Sequence, residues 1–92
     1  MMMRLRTDIR LRKIGDEYII VDPGQDMVDM SKAYTLNETA AFIWNELQNI
    51  EFTVSTIAKL LQNNYDLSPE TADQDAKELV KQLQSEGLLK DL

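Results

Sequence analysis

The stretch LNETAAFIW, residues 36–44, decides the fold, because the hydrophobic pattern changes there from a period of two to a helical period. Asn37 can accept hydrogen bonds from the free backbone N–H groups at the start of a helix. Ala40, Ile43 and Trp44 then follow at the spacing of one helix face, which makes Trp44 a candidate core residue. The chain is therefore expected to form strands before this stretch and helices after it.

The segment before residue 36 begins with a predicted β-hairpin. Between residues 4 and 12, Leu5, Thr7, Ile9 and Leu11 alternate with charged residues, as in a strand with one buried and one solvated face. The next run, EYIIV at residues 17–21, is β-branched and aromatic. The Gly15-Asp16 pair between the two runs suits a two-residue hairpin turn. A first antiparallel pair of strands follows from these signals.

A third strand is predicted after Pro23-Gly24, where proline suits a turn and glycine can adopt a positive φ. It is expected at residues 26–30, running on toward Ala33. Because it is short and leads into the first helix, it would offer free N–H and C=O groups to a partner strand if it lies at a sheet edge. Its apolar residues Met27, Val28 and Met30 either fill the core or line an adaptable groove, and the sequence leaves both possibilities open.

Three amphipathic helices are predicted after residue 36, and each has a start signal. Thr53 can cap the second helix, with Phe52 and Ile57 placed as a hydrophobic staple. Ser68 can cap the third helix, which has proline at its first position and Gly87 at its end. The helices are expected at about residues 37–49, 53–65 and 69–86.

These elements predict a single domain, residues 1–92, of the α+β class. A three-stranded antiparallel sheet, with strands at about residues 5–33, would be followed by three helices packed on one of its faces. The helical part is similar to winged-helix proteins, a fold that serves both DNA readers and protein-interaction modules.

The composition removes most catalytic chemistry. The chain has no cysteine and no histidine, so thiolate metal sites, disulfides and the commonest general base are excluded. No glycine-rich phosphate loop is present. The carboxylates that cluster in the sequence are interpreted as solvated surface: Asp22, Asp26 and Asp29 around a turn, and Asp73 and Asp75 on a helix. We therefore expect a protein that is not an enzyme and that has no cofactor and no metal.

Charge is distributed unevenly along the chain, whose formal net charge is -6. The first fifteen residues are basic, which indicates either a solvated edge strand or a docking segment for a partner protein. The third helix is acidic, so duplex DNA recognition through it is disfavoured, although a winged-helix DNA-binding regulator remains the alternative function. No apolar run is long enough for a membrane helix or a signal peptide, and a cytoplasmic location is expected.

Three segments resemble the pyrroloquinoline quinone biosynthesis protein D family. TLNETAAFIW at residues 35–44 is similar to the opening of the first helix in that family. FTVSTIAKLL at residues 52–61 resembles the second helix, and LQSEGLL at residues 83–89 resembles the closing segment. The order and spacing of the three segments carry the resemblance.

That resemblance implies a recognition element for ribosomally made, post-translationally modified peptides. It implies that the leader of a precursor peptide pairs with the third strand, over a groove bounded by the third helix. It also implies delivery of the bound precursor to a modifying enzyme, for example a radical S-adenosylmethionine enzyme. Homodimerisation through the same open edge is an alternative. Carried onto this chain, the peptide-binding positions are Asp26, Met27, Val28, Asp29 and Met30 on the strand and Ala72, Asp75, Ala76, Leu79 and Gln82 on the helix.

Overall fold

A computed structural model describes residues 2–22 and 32–91 and shows two small antiparallel sheets with three helices. The elements in chain order are β1 (Met3–Leu5), β2 (Leu11–Ile14), β3 (Glu17–Asp22), β4 (Lys32–Leu36), α1 (Glu38–Glu46), α2 (Val54–Asn64), α3 (Pro69–Ser85) and β5 (Leu89–Asp91). Strands β2, β3 and β4 form a three-stranded sheet in that order, and β1 pairs with β5. The predicted α+β fold is confirmed.

The predicted hairpin between β2 and β3 is present. Ile14 pairs with Glu17, so Gly15 and Asp16 form a two-residue turn. Gly15 has a φ of 63°, and Asp16 is not among the residues with positive φ. Positive φ at the first central residue alone is the pattern of a type II′ turn, whose twist matches that of the flanking strands.

The first predicted strand differs from the structure. Residues 4–12 do not form one strand, because Met3–Leu5 belongs to the sheet with β5 and Leu11–Ile14 to the sheet with β3. Within the described residues, the third strand of the main sheet is Lys32–Leu36, which continues past the predicted limit near Ala33. The predicted strand at residues 26–30 and the Pro23-Gly24 turn lie outside the described residues.

The helices begin at the predicted capping residues. Asn37 Oδ1 accepts a hydrogen bond from the Ala40 N–H at 2.8 Å. In a capping box at the start of α2, the side chains of Thr53 and Thr56 each accept a hydrogen bond from the other residue's backbone N–H. At the start of α3, the Ser68 side chain accepts a hydrogen bond from the Thr71 N–H. These side chains satisfy donors that a helix start leaves free, each stabilising the helix by about 1 kcal/mol. Among the helices of residues 2–22 and 32–91, none has the length and apolar character needed to cross a membrane.

One apolar core joins both sheets to the helices. The three-stranded sheet contributes Ile20 and Leu36 to this core, and each helix contributes one stripe of apolar residues. Phe52 is fully buried between these elements. The main buried members on the helices are Ala40, Ala41, Ile43, Trp44, Ile57, Ala58, Leu61, Ala72, Ala76, Val80 and Leu83.

The amino-terminal segment binds both the start of α2 and the end of α3. Met3 and Phe52 exchange two backbone hydrogen bonds of 2.8 Å. Arg6 donates its backbone N–H to the Leu88 carbonyl at 3.1 Å and its guanidinium Nη1 to the Gly87 carbonyl at 3.0 Å. Gly87 has a φ of 70°, a conformation that favours glycine and ends the helix.

The burial of Phe52 leads to a stability prediction. Phe52→Ala is expected to lower the free energy of unfolding by about 3–5 kcal/mol, since it removes a buried ring and leaves a cavity. Urea denaturation followed by fluorescence of the buried Trp44 measures the change. Ile50→Ala, at an exposed neighbour, is the control and should shift stability by less than about 0.5 kcal/mol. Equal effects of the two substitutions would contradict the central position of Phe52.

The ion pair of Arg6 and Asp8 predicts a small pH dependence. Two hydrogen bonds from the guanidinium, of 2.6 and 3.0 Å, lower the pKa of the Asp8 carboxyl below its ordinary value. A lowered pKa in the folded state gives stability that is present above the unfolded pKa of about 3.9 and is lost as the pH falls through the folded pKa. Asp8 is half exposed, so Asp8→Asn should lower the free energy of unfolding at pH 7 by less than about 1 kcal/mol.

Urea titrations at a series of pH values test this dependence. The difference between Asp8→Asn and the unsubstituted protein should shrink below about pH 4. Glu51→Gln, at an exposed carboxylate, is the matched control. A difference that stays constant down to acid pH would show that Asp8 acts through packing rather than charge.

Candidate functional site

The outer edge of β4 is the first part of the candidate site. Within the described residues, β4 pairs with β3 on one side and with no strand on the other. An edge strand presents unpaired backbone N–H and C=O groups.

The hairpin geometry shows which residues of β4 present those groups. In a two-residue hairpin the flanking pair, here Ile14 and Glu17, is hydrogen-bonded, and the direction of the backbone groups alternates along each strand. Glu17 and Ile19 therefore bond to β2, whereas the residues between them bond to β4. On β4 this leaves Ala33 and Thr35 with N–H and C=O groups directed away from the sheet. Both residues are exposed.

A groove begins where β4 ends. Leu36 is the last residue of the strand, and the next residue, Asn37, lines the groove together with residues from all three helices. The groove holds about 310 Å³. Its lining residues are Asn37, Thr39 and Ala40 at the start of α1, Leu61 on α2, and Asp75, Glu78, Leu79 and Gln82 on α3.

The groove combines an apolar floor with a polar rim. Ala40 and Leu61 are buried and Leu79 is half-buried, so the floor can accept an apolar side chain. Asn37 and Gln82 contribute neutral amides to the rim. A surface of this kind can bind a ligand by burying an apolar group on the floor and by forming hydrogen bonds at the rim. Among the described residues, no three or more His, Cys, Asp or Glu side chains are grouped so that they could hold a metal ion.

The helix residues that the family resemblance implied fall into two groups. Asp75, Leu79 and Gln82 line the groove. Ala72 and Ala76 are fully buried in the core, where their small side chains form part of the apolar stripe of α3. This groove is thus bounded by the flank of α3 that is turned slightly away from that stripe.

The strand residues implied by the resemblance, Asp26, Met27, Val28, Asp29 and Met30, lie outside the described residues. Sequence reasoning also missed several positions that the structure brings to the site: Ala33, Thr35, Asn37, Thr39, Ala40, Leu61 and Glu78. One local signal was available for some of them. A strand that ends directly at a helix cap places its last edge residues beside the first helical turn.

Comparison with solved structures confirms the fold. A structure of lasso peptide synthetase B1 complexed with the leader peptide has a TM-score of 0.73 and 24% sequence identity, covering 97% of this chain and 98% of that chain. A structure of TbiB1 in complex with the TbiA(beta) leader peptide has a TM-score of 0.73 and 16% identity, covering 97% of this chain and 96% of that chain. At these identities the similarity establishes a shared fold.

Comparison of the sequence with known families identifies the chain. A search of curated proteins gives no match. The model of one family, described as Coenzyme PQQ synthesis protein D, matches residues 17–89, which cover most of the 92 residues and include the β4 edge and the groove. The family predicted from the three sequence segments is therefore confirmed, and the chain belongs to the Coenzyme PQQ synthesis protein D (PqqD) family.

Proposed function

We propose that this chain is a non-catalytic module that binds the leader of a ribosomally made precursor peptide as an added strand on β4. The free backbone groups of Ala33 and Thr35, which lie just before the groove, carry the proposal. A peptide in extended conformation can bond to both residues along the edge and continue past Leu36 into the groove. Main-chain bonds then supply affinity, and the groove selects side chains.

The dimensions of the edge fit a short peptide segment. Ala33 and Thr35 are two residues apart, so their free groups are about 7 Å apart and match one repeat of an added strand. Alternate side chains of that strand would lie on the helical side of the sheet. One of them can reach the floor formed by Ala40, Leu61 and Leu79.

The comparisons support a peptide as the ligand. Both similar structures are complexes with leader peptides, and they share the fold over nearly the whole chain. Residues 26–30, which the family resemblance implies as the strand platform, remain a proposal as peptide-binding positions. The module would then present the bound precursor to a modifying enzyme, for which a radical S-adenosylmethionine enzyme is our candidate class.

Two proline substitutions on β4 test the added strand. Thr35→Pro removes an N–H that faces away from β3, so the fold should persist while peptide affinity falls on the order of tenfold. Tyr34→Pro removes an N–H that bonds to β3, so it should destabilise the sheet itself. Thermal denaturation separates the two effects, and fluorescence anisotropy measures affinity for synthetic peptides that cover the short reading frames beside the gene.

Lys13→Pro is the matched control, because Lys13 is an outward-directed position on the opposite edge strand, β2. It should leave peptide affinity unchanged. Loss of affinity in Lys13→Pro with full affinity in Thr35→Pro would place the peptide on β2 instead. In the unsubstituted protein, peptide addition should shift the amide resonances of residues 32–36 and of Asp75, Leu79 and Gln82. Shifts confined to other residues would refute the proposed site.

A further inference from the structure

The two walls of the groove differ in charge. Asp75 and Glu78 lie three residues apart on α3, and both are exposed and line the groove. The opposite wall, at the start of α1, contributes the neutral residues Asn37 and Thr39. A negative potential is therefore concentrated on one side of an otherwise apolar and amide-lined depression.

The negative charge of this wall is not neutralised within the described part of the chain. On α3 the ion pair is between Lys77 and Asp73, at 3.0 Å, on another side of the helix from the groove. No described cation forms an ion pair with Asp75 or Glu78. Like charges three positions apart on a helix repel each other. A ligand cation placed between the two carboxylates would relieve that repulsion.

We propose that the groove selects a leader with a lysine or arginine beside an apolar side chain, and that Asp75 and Glu78 are the residues that select the charge. This proposal rests on the proposed function. The apolar side chain would occupy the floor of Ala40, Leu61 and Leu79, and the cation would lie along the α3 wall. Charge complementarity identifies the occupant, because an acidic leader segment would face two carboxylates that have no cation between them.

The spacing of the groove residues predicts a sequence pattern in the leader. Asp75 and Leu79 are four residues apart on α3, a rise of about 6 Å along the helix axis. Side chains on one face of an extended peptide are two residues apart, which is about 7 Å. The cation and the apolar residue are therefore expected two positions apart in the leader, at i and i+2. Which of the two comes first depends on the direction in which the peptide runs along β4.

A display selection tests the proposal with peptides of random sequence in place of the precursor. A library of linear peptides, each about fifteen residues long, is selected against the unsubstituted protein. The selected peptides are then synthesised, and their affinities are measured for the protein and for Thr35→Pro. Peptides that Thr35→Pro weakens are assigned to the β4 edge, and only these are analysed for charge.

Neutralising the acidic wall provides the second part of the test. For the assigned peptides, the double variant Asp75→Asn with Glu78→Gln should bind about three- to tenfold more weakly. The control double variant, Glu51→Gln with Glu70→Gln, removes the same charge at exposed positions outside the groove and should bind normally. Circular dichroism checks that both variants keep their helices. Raising the salt concentration from about 0.05 to 0.5 M should remove most of the difference between them.

Each outcome decides one proposal. Assigned peptides enriched in lysine or arginine two positions from an apolar residue, with affinity lost in the groove variant, support the inference. Assigned peptides without that enrichment, or with unchanged affinity in the groove variant, overturn the charge selection and leave strand addition intact. If Thr35→Pro weakens none of the selected peptides, strand addition on β4 is itself overturned.

Discussion

The register of β3 against β4 determines both which side chains enter the core and which backbone groups of β4 face outward. Side chains and backbone groups alternate along a strand with the same period of two, so one register sets both. Pairing Tyr18 with Leu36 places Leu36 in the core, at 4% exposure, beside the fully buried Ile20. The same pairing directs the free backbone groups of Ala33 and Thr35 outward. A slip by one residue would expose Leu36 and turn these outward groups toward β3, so the edge is as strongly specified as the core.

The ends of the chain hold the groove wall in place. Strand β1 pairs with β5 directly after α3, and the Arg6 guanidinium bonds to the Gly87 carbonyl at the end of that helix. Met3 also bonds to Phe52 at the start of α2, so one short segment fixes one end of each of two helices. The groove therefore lies between helices that these contacts hold at one end. Preorganisation of this kind lowers the ordering cost of binding.

The sequence predicted the parts of the fold that depend on local chemistry. Helix caps at Asn37, Thr53 and Ser68 and the Gly15 turn were all correct, because each feature is encoded within a few residues. The pairing of β1 with β5 was missed, since strands more than eighty residues apart share no local signal. The groove flank of α3 was only partly predicted. Helical spacing alone puts both Ala72 and Asp75 on the side of α3 that was expected to face the groove. Only the packing of α2 on α3 decides that Ala72 is buried and Asp75 is exposed.

The surroundings of the two outer strands of the described sheet differ in charge. Strand β2 is the other outer strand of the described sheet, and it carries the exposed cations Arg12 and Lys13. Charged residues of this kind discourage unwanted strand pairing. The β4 edge leads instead to a wall with Asp75 and Glu78. If strand addition and the proposed charge selection both hold, a basic peptide would be drawn toward the β4 side by the α3 wall, although both edges offer free backbone groups and β4 itself begins with Lys32. Backbone geometry allows strand addition at either edge, and under the proposed charge selection the acidic α3 wall is what would favour β4.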